Sequence, residues 1–240
     1  MESAPSSAFI TSRGFTLVEM VVVLAIIVII TTIALLGQSS FNRSLVLTDI
    51  SYTIAFSIRE AQSYGISSRR SGSTTNAGYG VHFSAGSPNA YTLFADVDPV
   101  RPGDVSNPSV CPGHPNLSSA NPESKPGNCI QDTATETVRS YSLNNGFRIK
   151  SFCGTRASNG QQVCSDSGIV ALDILYMRPN TQSVITGITS SAVPPPLSSR
   201  IALTDATIRV VSPDGVGERC VLVTKVGHVS VAQKGDEGCP

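Results

Sequence analysis

The chain has 240 residues, with 17 Lys+Arg against 17 Asp+Glu and a formal net charge of zero, so no long-range field draws it to nucleic acid or anionic lipid, and a strongly basic DNA-binding protein is disfavoured. Only 14% of the residues are charged while 40% are hydrophobic, an apolar excess over what one ordinary core of this size needs. Six cysteines, at 111, 129, 153, 164, 220 and 239, include no C-x-x-C pair, a usage that fits disulfides in an oxidising compartment better than zinc.

The first forty residues account for the excess. From Met20 to Ile30 the sequence is MVVVLAIIVII, and after Thr31 and Thr32 it resumes as IALL to Leu36. Phe15 to Leu36, at about 1.5 Å per residue, makes a helix of roughly 33 Å, enough to cross a hydrocarbon layer of about 30 Å. So β-branched a run makes a poor helix in water, but an isolated span in lipid must satisfy its own backbone hydrogen bonds and so becomes one. The run is too long for the apolar part of a cleaved secretory signal, and no A-x-A site follows it. Glu19 stands inside the apolar block, where a carboxylate is costly and calls for a partner.

Ahead of this block stands MESAPSSAFITSRG, ending in Arg13-Gly14 and followed at once by Phe15-Thr16-Leu17-Val18-Glu19. RGFTLVEM resembles the prepilin motif of type IV pilins and type II secretion pseudopilins. The resemblance implies that prepilin peptidase cuts between Gly14 and Phe15 and methylates the new N-terminal Phe15, and that Glu19, the acidic fifth residue of the mature chain, neutralises the amine of a neighbouring subunit. It implies a single-pass anchor in the bacterial inner membrane, with the N-terminus cytoplasmic and the C-terminal domain periplasmic or extracellular, and partners that are other pilins, prepilin peptidase and membrane lipid. Two features depart from the pattern: the leader carries one base and one acid, Arg13 and Glu2, and Leu36 stands where many relatives have proline.

Beyond Gly37, Leu47, Ile50, Ile54, Ile58 and Ala61 recur at steps of three and four, predicting an amphipathic helix from about Phe41 to Tyr64 whose apolar stripe needs a sheet to cover it. Alternation predicts strands at Gly78–Ser84 and Tyr91–Asp98, with Tyr79, Val81, Phe83, Tyr91, Leu93, Ala95 and Val97 facing one way. Further strands are expected at 138–143, 147–152, 169–177, 201–211, 219–226 and 228–232, the hairpin at S-P-D-G-V-G being the clearest because Gly215 accepts a positive φ. Residues 99–135, with seven prolines by Pro126, and the Ser/Thr-rich stretch 179–200 are expected to be surface loops. By sequence proximity the simplest disulfides are Cys111 with Cys129, Cys153 with Cys164, and Cys220 with Cys239. YTLFAD at 91–96, LDILYMRPN at 172–180 and VLVTKVGHVSV at 221–231 resemble the globular half of minor pseudopilins typified by the H subunit of type II secretion, and of related minor type IV pilins.

No catalytic motif is present, and His82, His114 and His228 lie in different segments. Cys111-x-x-His114 has no second pair for zinc, and Asp96, Asp98 and Asp104 lack the EF-hand spacing for calcium, so no cofactor is expected. The expected architecture is α+β, the type IV pilin fold: leader 1–14, transmembrane helix 15–36, amphipathic continuation 37–65, and a β-rich domain 66–240 with antiparallel sheet and long disulfide-stabilised loops. The expected role is that of a non-enzymatic minor pilin or pseudopilin at or near the tip of a type II secretion pseudopilus or type IV pilus. The alternative is a DNA-binding minor pilin of an uptake pilus, against which the neutral charge and the acidic Gly235-Asp236-Glu237 count.

Overall fold

The computed structural model describes residues 14–67, 69–72, 77–97, 127–178, 181–192 and 195–239. Leu17–Ile66 forms one helix, α1, of 50 residues. The chain divides between Asn42 and Arg43 into two compact units.

In the first unit every described side chain from Gly14 to Leu35 is exposed, and Leu17–Leu35 is long and apolar enough to cross a membrane. Its two hydroxyls are turned back on the helix: Thr31 donates to the carbonyls of Ile27 and Val28 at 2.8 and 3.0 Å, and Thr32 donates to Val28 at 2.7 Å. No polar hydrogen on these side chains is left to face an apolar medium, so the pair interrupts the apolar run in sequence without interrupting it chemically.

The second unit is an α+β domain of α1 with two antiparallel sheets. The larger sheet is assembled from β1 (Gly78–Ser84), β2 (Ala90–Asp96), β3 (Thr137–Ser142), β6 (Ala171–Tyr176), β7 (Ser183–Ile188) and β8 (Arg200–Leu203), in the order β3-β2-β1-β6-β7-β8. The smaller uses β4 (Arg148–Thr155), β5 (Gln162–Cys164), β9 (Asp205–Val211), β10 (Glu218–Thr224) and β11 (Val229–Gln233), in the order β11-β10-β9-β4-β5. The stripe Leu47, Ile54, Ile58 and Ala61 of α1 joins one core with Tyr79, Val81, Phe83, Leu93 and Ile174 of the larger sheet and Ile208, Val210, Val221 and Val223 of the smaller. Helix and strand periods agree on a single buried region, which is why neither half of the pattern is stable alone.

Three sequence expectations change. The stretch 179–200 is not wholly surface loop: Ser183–Ile188 is β7, buried along its length and paired on both sides. Its Ser and Thr content suggested exposure, yet a strand buried on both faces shows no alternation to detect. The predicted strand 201–211 is two, because Thr204 breaks it and the chain passes from one sheet (β8 on β7) to the other (β9 on β10 and β4), a corner of the kind that lets two packed sheets share a chain. Finally, residues 99–126 of the Pro-rich insertion lie outside the described residues, but its end is not exposed: Cys129 and Ile130 are fully buried.

That buried end is organised by Asp96, whose carboxylate accepts the backbone N–H groups of Asn128 and Cys129, both at 2.8 Å. Burial, with nearby Glu136 adding to it, pushes the Asp96 carboxyl well above the usual carboxylate range. Gly127 has φ +115° and an added Cβ would collide with the Asp96 carboxylate, so two independent constraints demand glycine there. Gly127→Ala should therefore lower stability by about 2 kcal/mol, read as a drop in the thermal midpoint of the full chain in detergent.

Across the larger sheet, His82 of β1 stands opposite Asp173 of β6, with Nδ1 2.8 Å from Oδ1. Asp173 has no exposed surface. Burial alone would pull the imidazole down, but the adjoining carboxylate outweighs it and His82 titrates above its ordinary 6.5. A raised histidine pKa adds stability that is complete below the unfolded value and is lost as pH rises through the folded one. The destabilisation by His82→Gln, about 3 kcal/mol at pH 5.5, should shrink by pH 9, where only a neutral hydrogen bond is lost; urea midpoints at the two pH values test this.

Candidate functional site

The residues singled out by the sequence fall in two places. Gly14, Phe15 and Glu19 lie at the start of α1, and the described cysteines lie in the second unit.

At the helix start, Thr16 is the N-cap. Its Oγ1 accepts the backbone N–H of Glu19 at 3.2 Å, and its carbonyl accepts the N–H of Met20 at 3.2 Å, the first bond of the helical ladder. Thr16-Leu17-Val18-Glu19 is thus the S/T-x-x-E arrangement of a capping box, a signal written in the sequence itself. The hydroxyl satisfies one of the four orphan amides that a helix start exposes, which matters most where no water can do so. Glu19 sits in the first turn, where the partial positive charge of the helix N-terminus favours a carboxylate. It forms no ion pair among the described residues, so any counter-charge must come from elsewhere.

Phe15 is 76% exposed. Gly14 is exposed as well, with nothing within 4 Å of the place a Cβ would occupy and a backbone conformation that other residues adopt. Among the described residues nothing requires glycine at 14.

With that geometry in view, the comparison with known families is informative. Residues 11–35 match the model described as the prokaryotic N-terminal methylation motif. No curated protein and no solved structure matches the chain. The match covers a small N-terminal part of the sequence and supports a type IV pilin-like prepilin, of the kind processed by prepilin peptidase and assembled with other pilins. An apolar N-terminal helix and this motif together fit a membrane-anchored pilin.

In the second unit, Cys153 and Cys164 are joined across directly opposed positions of β4 and β5. Cys220 of β10 is joined to Cys239, tying the C-terminal turn to the sheet. Cys129 is disulfide-bonded too; Cys111, its expected mate, lies outside the described residues, as do Asp98, Asp104 and His114. Among the described residues no three His, Cys, Asp or Glu side chains converge as a metal site would require.

Replacing the cap by Thr16→Ala should cost about 1 kcal/mol, roughly a fivefold faster opening of the first turn. Hydrogen exchange at the Glu19 amide in micelles measures it directly, with the amides around Ile58 unchanged.

Proposed function

We propose that this chain is a non-catalytic minor pilin or pseudopilin, cut between Gly14 and Phe15, methylated on Phe15, held in the bacterial inner membrane by residues 15–36, and assembled at or near the tip of a type II secretion pseudopilus or type IV pilus. The observation that carries the reading is a carboxylate, Glu19, that has no counter-charge among the described residues and lies one helical turn from a Gly14–Phe15 bond whose glycine the fold does not need. Cutting that bond creates an α-amine. In an apolar medium such an amine and the Glu19 carboxylate of a neighbouring subunit each relieve the other's isolation, so cleavage and assembly become coupled through one charge pair.

The subtype rests on the three stretches that resemble the H-type minor pseudopilins. They supply β2, β6 and the β10–β11 hairpin, so the resembling segments fall on strands of both sheets instead of scattering over loops. A position at the tip accommodates the Pro-rich insertion 99–135 once, where a repeating shaft subunit would have to accommodate it in every copy. The disulfides match a domain that functions outside the reducing cytoplasm.

Mass spectrometry of the protein from cells with and without prepilin peptidase tests the processing step: the peptidase should remove residues 1–14 and leave a single added methyl on Phe15, and an uncut chain beside active peptidase overturns the proposal. Glu19→Ala should still insert. Breaking a buried charge pair costs about 3 to 5 kcal/mol, so incorporation into filaments should fall at least roughly a hundredfold, measured by crosslinking to neighbouring pilins in cells; undiminished incorporation removes the charge-pair role.

A further inference from the structure

A cavity of about 580 Å³ opens on the larger sheet, away from the face that α1 covers, and His82, Ala171 and Ile188 line it together with Gln131, Thr133 and Ala192. Val170, Ala171, Ile188 and Ile130 form a small apolar cluster of their own there. Among the described residues His82 is the one imidazole at this cavity, and its side chain is 16% exposed. Asp173 occupies Nδ1, which leaves Nε2 of this lining ring with no hydrogen bond among the described residues. Asp173 itself is buried behind the ring, with its second oxygen unpartnered, so the ring is oriented by a group that a ligand cannot reach.

The surrounding charges limit what fits. Asp132 lies in the wall and Asp173 behind His82, while Arg200 donates to the carbonyls of Asn128 and Pro195 at the margin. Among the described residues, two carboxylates stand against one guanidinium and the imidazole that Asp173 holds, so neither sign of charge dominates the lining. An ion entering it would lose hydration without gaining a net counter-charge. A neutral molecule with an apolar body and one acceptor oxygen loses least, and the size suits a ligand of a few hundred cubic ångströms.

We infer that this cavity binds an apolar peptide residue, its side chain on Val170, Ala171 and Ile188 and its backbone carbonyl accepting a hydrogen bond from Nε2 of His82. The inference is independent of the assembly proposal above. A carboxylate-oriented imidazole at the edge of an apolar floor offers one directional donor beside a non-directional surface, which is the pairing that distinguishes a peptide unit from a plain hydrocarbon.

The chain contains three histidines, so ring resonances of the histidine-labelled full-length protein in detergent can be followed one by one. N-acetyl-leucinamide should shift the His82 signal saturably while leaving His228 in place, and N-acetyl-glycinamide, lacking the side chain, should bind at least roughly tenfold more weakly. Ala192→Trp, an exposed position on the wall, should abolish the shift with the fold intact, and His82→Leu should weaken protection of the cavity by the probe roughly tenfold or more. No saturable shift with N-acetyl-leucinamide, equal binding of the glycine compound, or an unchanged response in Ala192→Trp overturns the inference; if His82→Leu fails to fold, the Ala192→Trp result decides.

Discussion

The constraint on which the molecule turns is that one helix must satisfy two different surroundings. Over Leu17–Leu35, α1 presents apolar side chains on every side, and even its threonine hydroxyls are absorbed by its own carbonyls. Over Arg43–Ile66 it presents an apolar stripe toward a protein core, with polar groups and the exposed side chains of Leu45, Tyr52 and Phe56 on its other faces. The first pattern is stable where nothing competes for backbone hydrogen bonds, and the second only where a sheet removes one face from water. Everything in the second unit follows from supplying that cover, since both sheets send their inward residues to the same stripe.

Polar groups inside the second unit are spent on holding pieces of chain that regular pairing does not reach. Asp96 captures two amides of the segment that re-enters at Gly127. Asp214, in the β9–β10 turn, binds Ser212 and the backbone of Val216 and also meets Arg43 of α1 at 2.8 Å; these contacts hold its carboxyl well below the usual carboxylate range. Ser57 and Glu60 of α1 reach Tyr91 and Tyr141, two rings stacked at 4.8 Å on neighbouring strands. The exposed Arg43–Asp214 pair adds little energy on its own. The effect of these contacts is to define where the helix lies along the sheet, a matter on which apolar packing alone is permissive.

The N-terminal site is of another sort. Among the described residues it has no cavity and no cluster of titrating groups; it consists of an exposed glycine, a carboxylate without an ion pair and a cap. Glu19 is exposed and has no counter-charge among the described residues, and a carboxylate at membrane depth is costly without one. Local residues carry it entirely, which explains why its composition is visible in one dimension and why the family match is confined to residues 11–35.

By itself the sequence determined what depends on near neighbours: the apolar span, the Gly14–Phe15–Glu19 motif, the stripe from Leu47 to Ala61, the β1–β2 alternation, and the turn at Gly215, because each is written in spacings of a few residues. The cap at Thr16 was equally local, and the T-x-x-E pattern was there to be read. Only the tertiary structure decided that Ser183–Ile188 is an interior strand, that Thr204 is where the chain changes sheets, and that His82 and Asp173, separated by 91 positions, share a hydrogen bond. Those outcomes depend on which strands become neighbours, and strand order is settled by how two sheets and a helix close over one core, a global packing condition that no local pattern encodes.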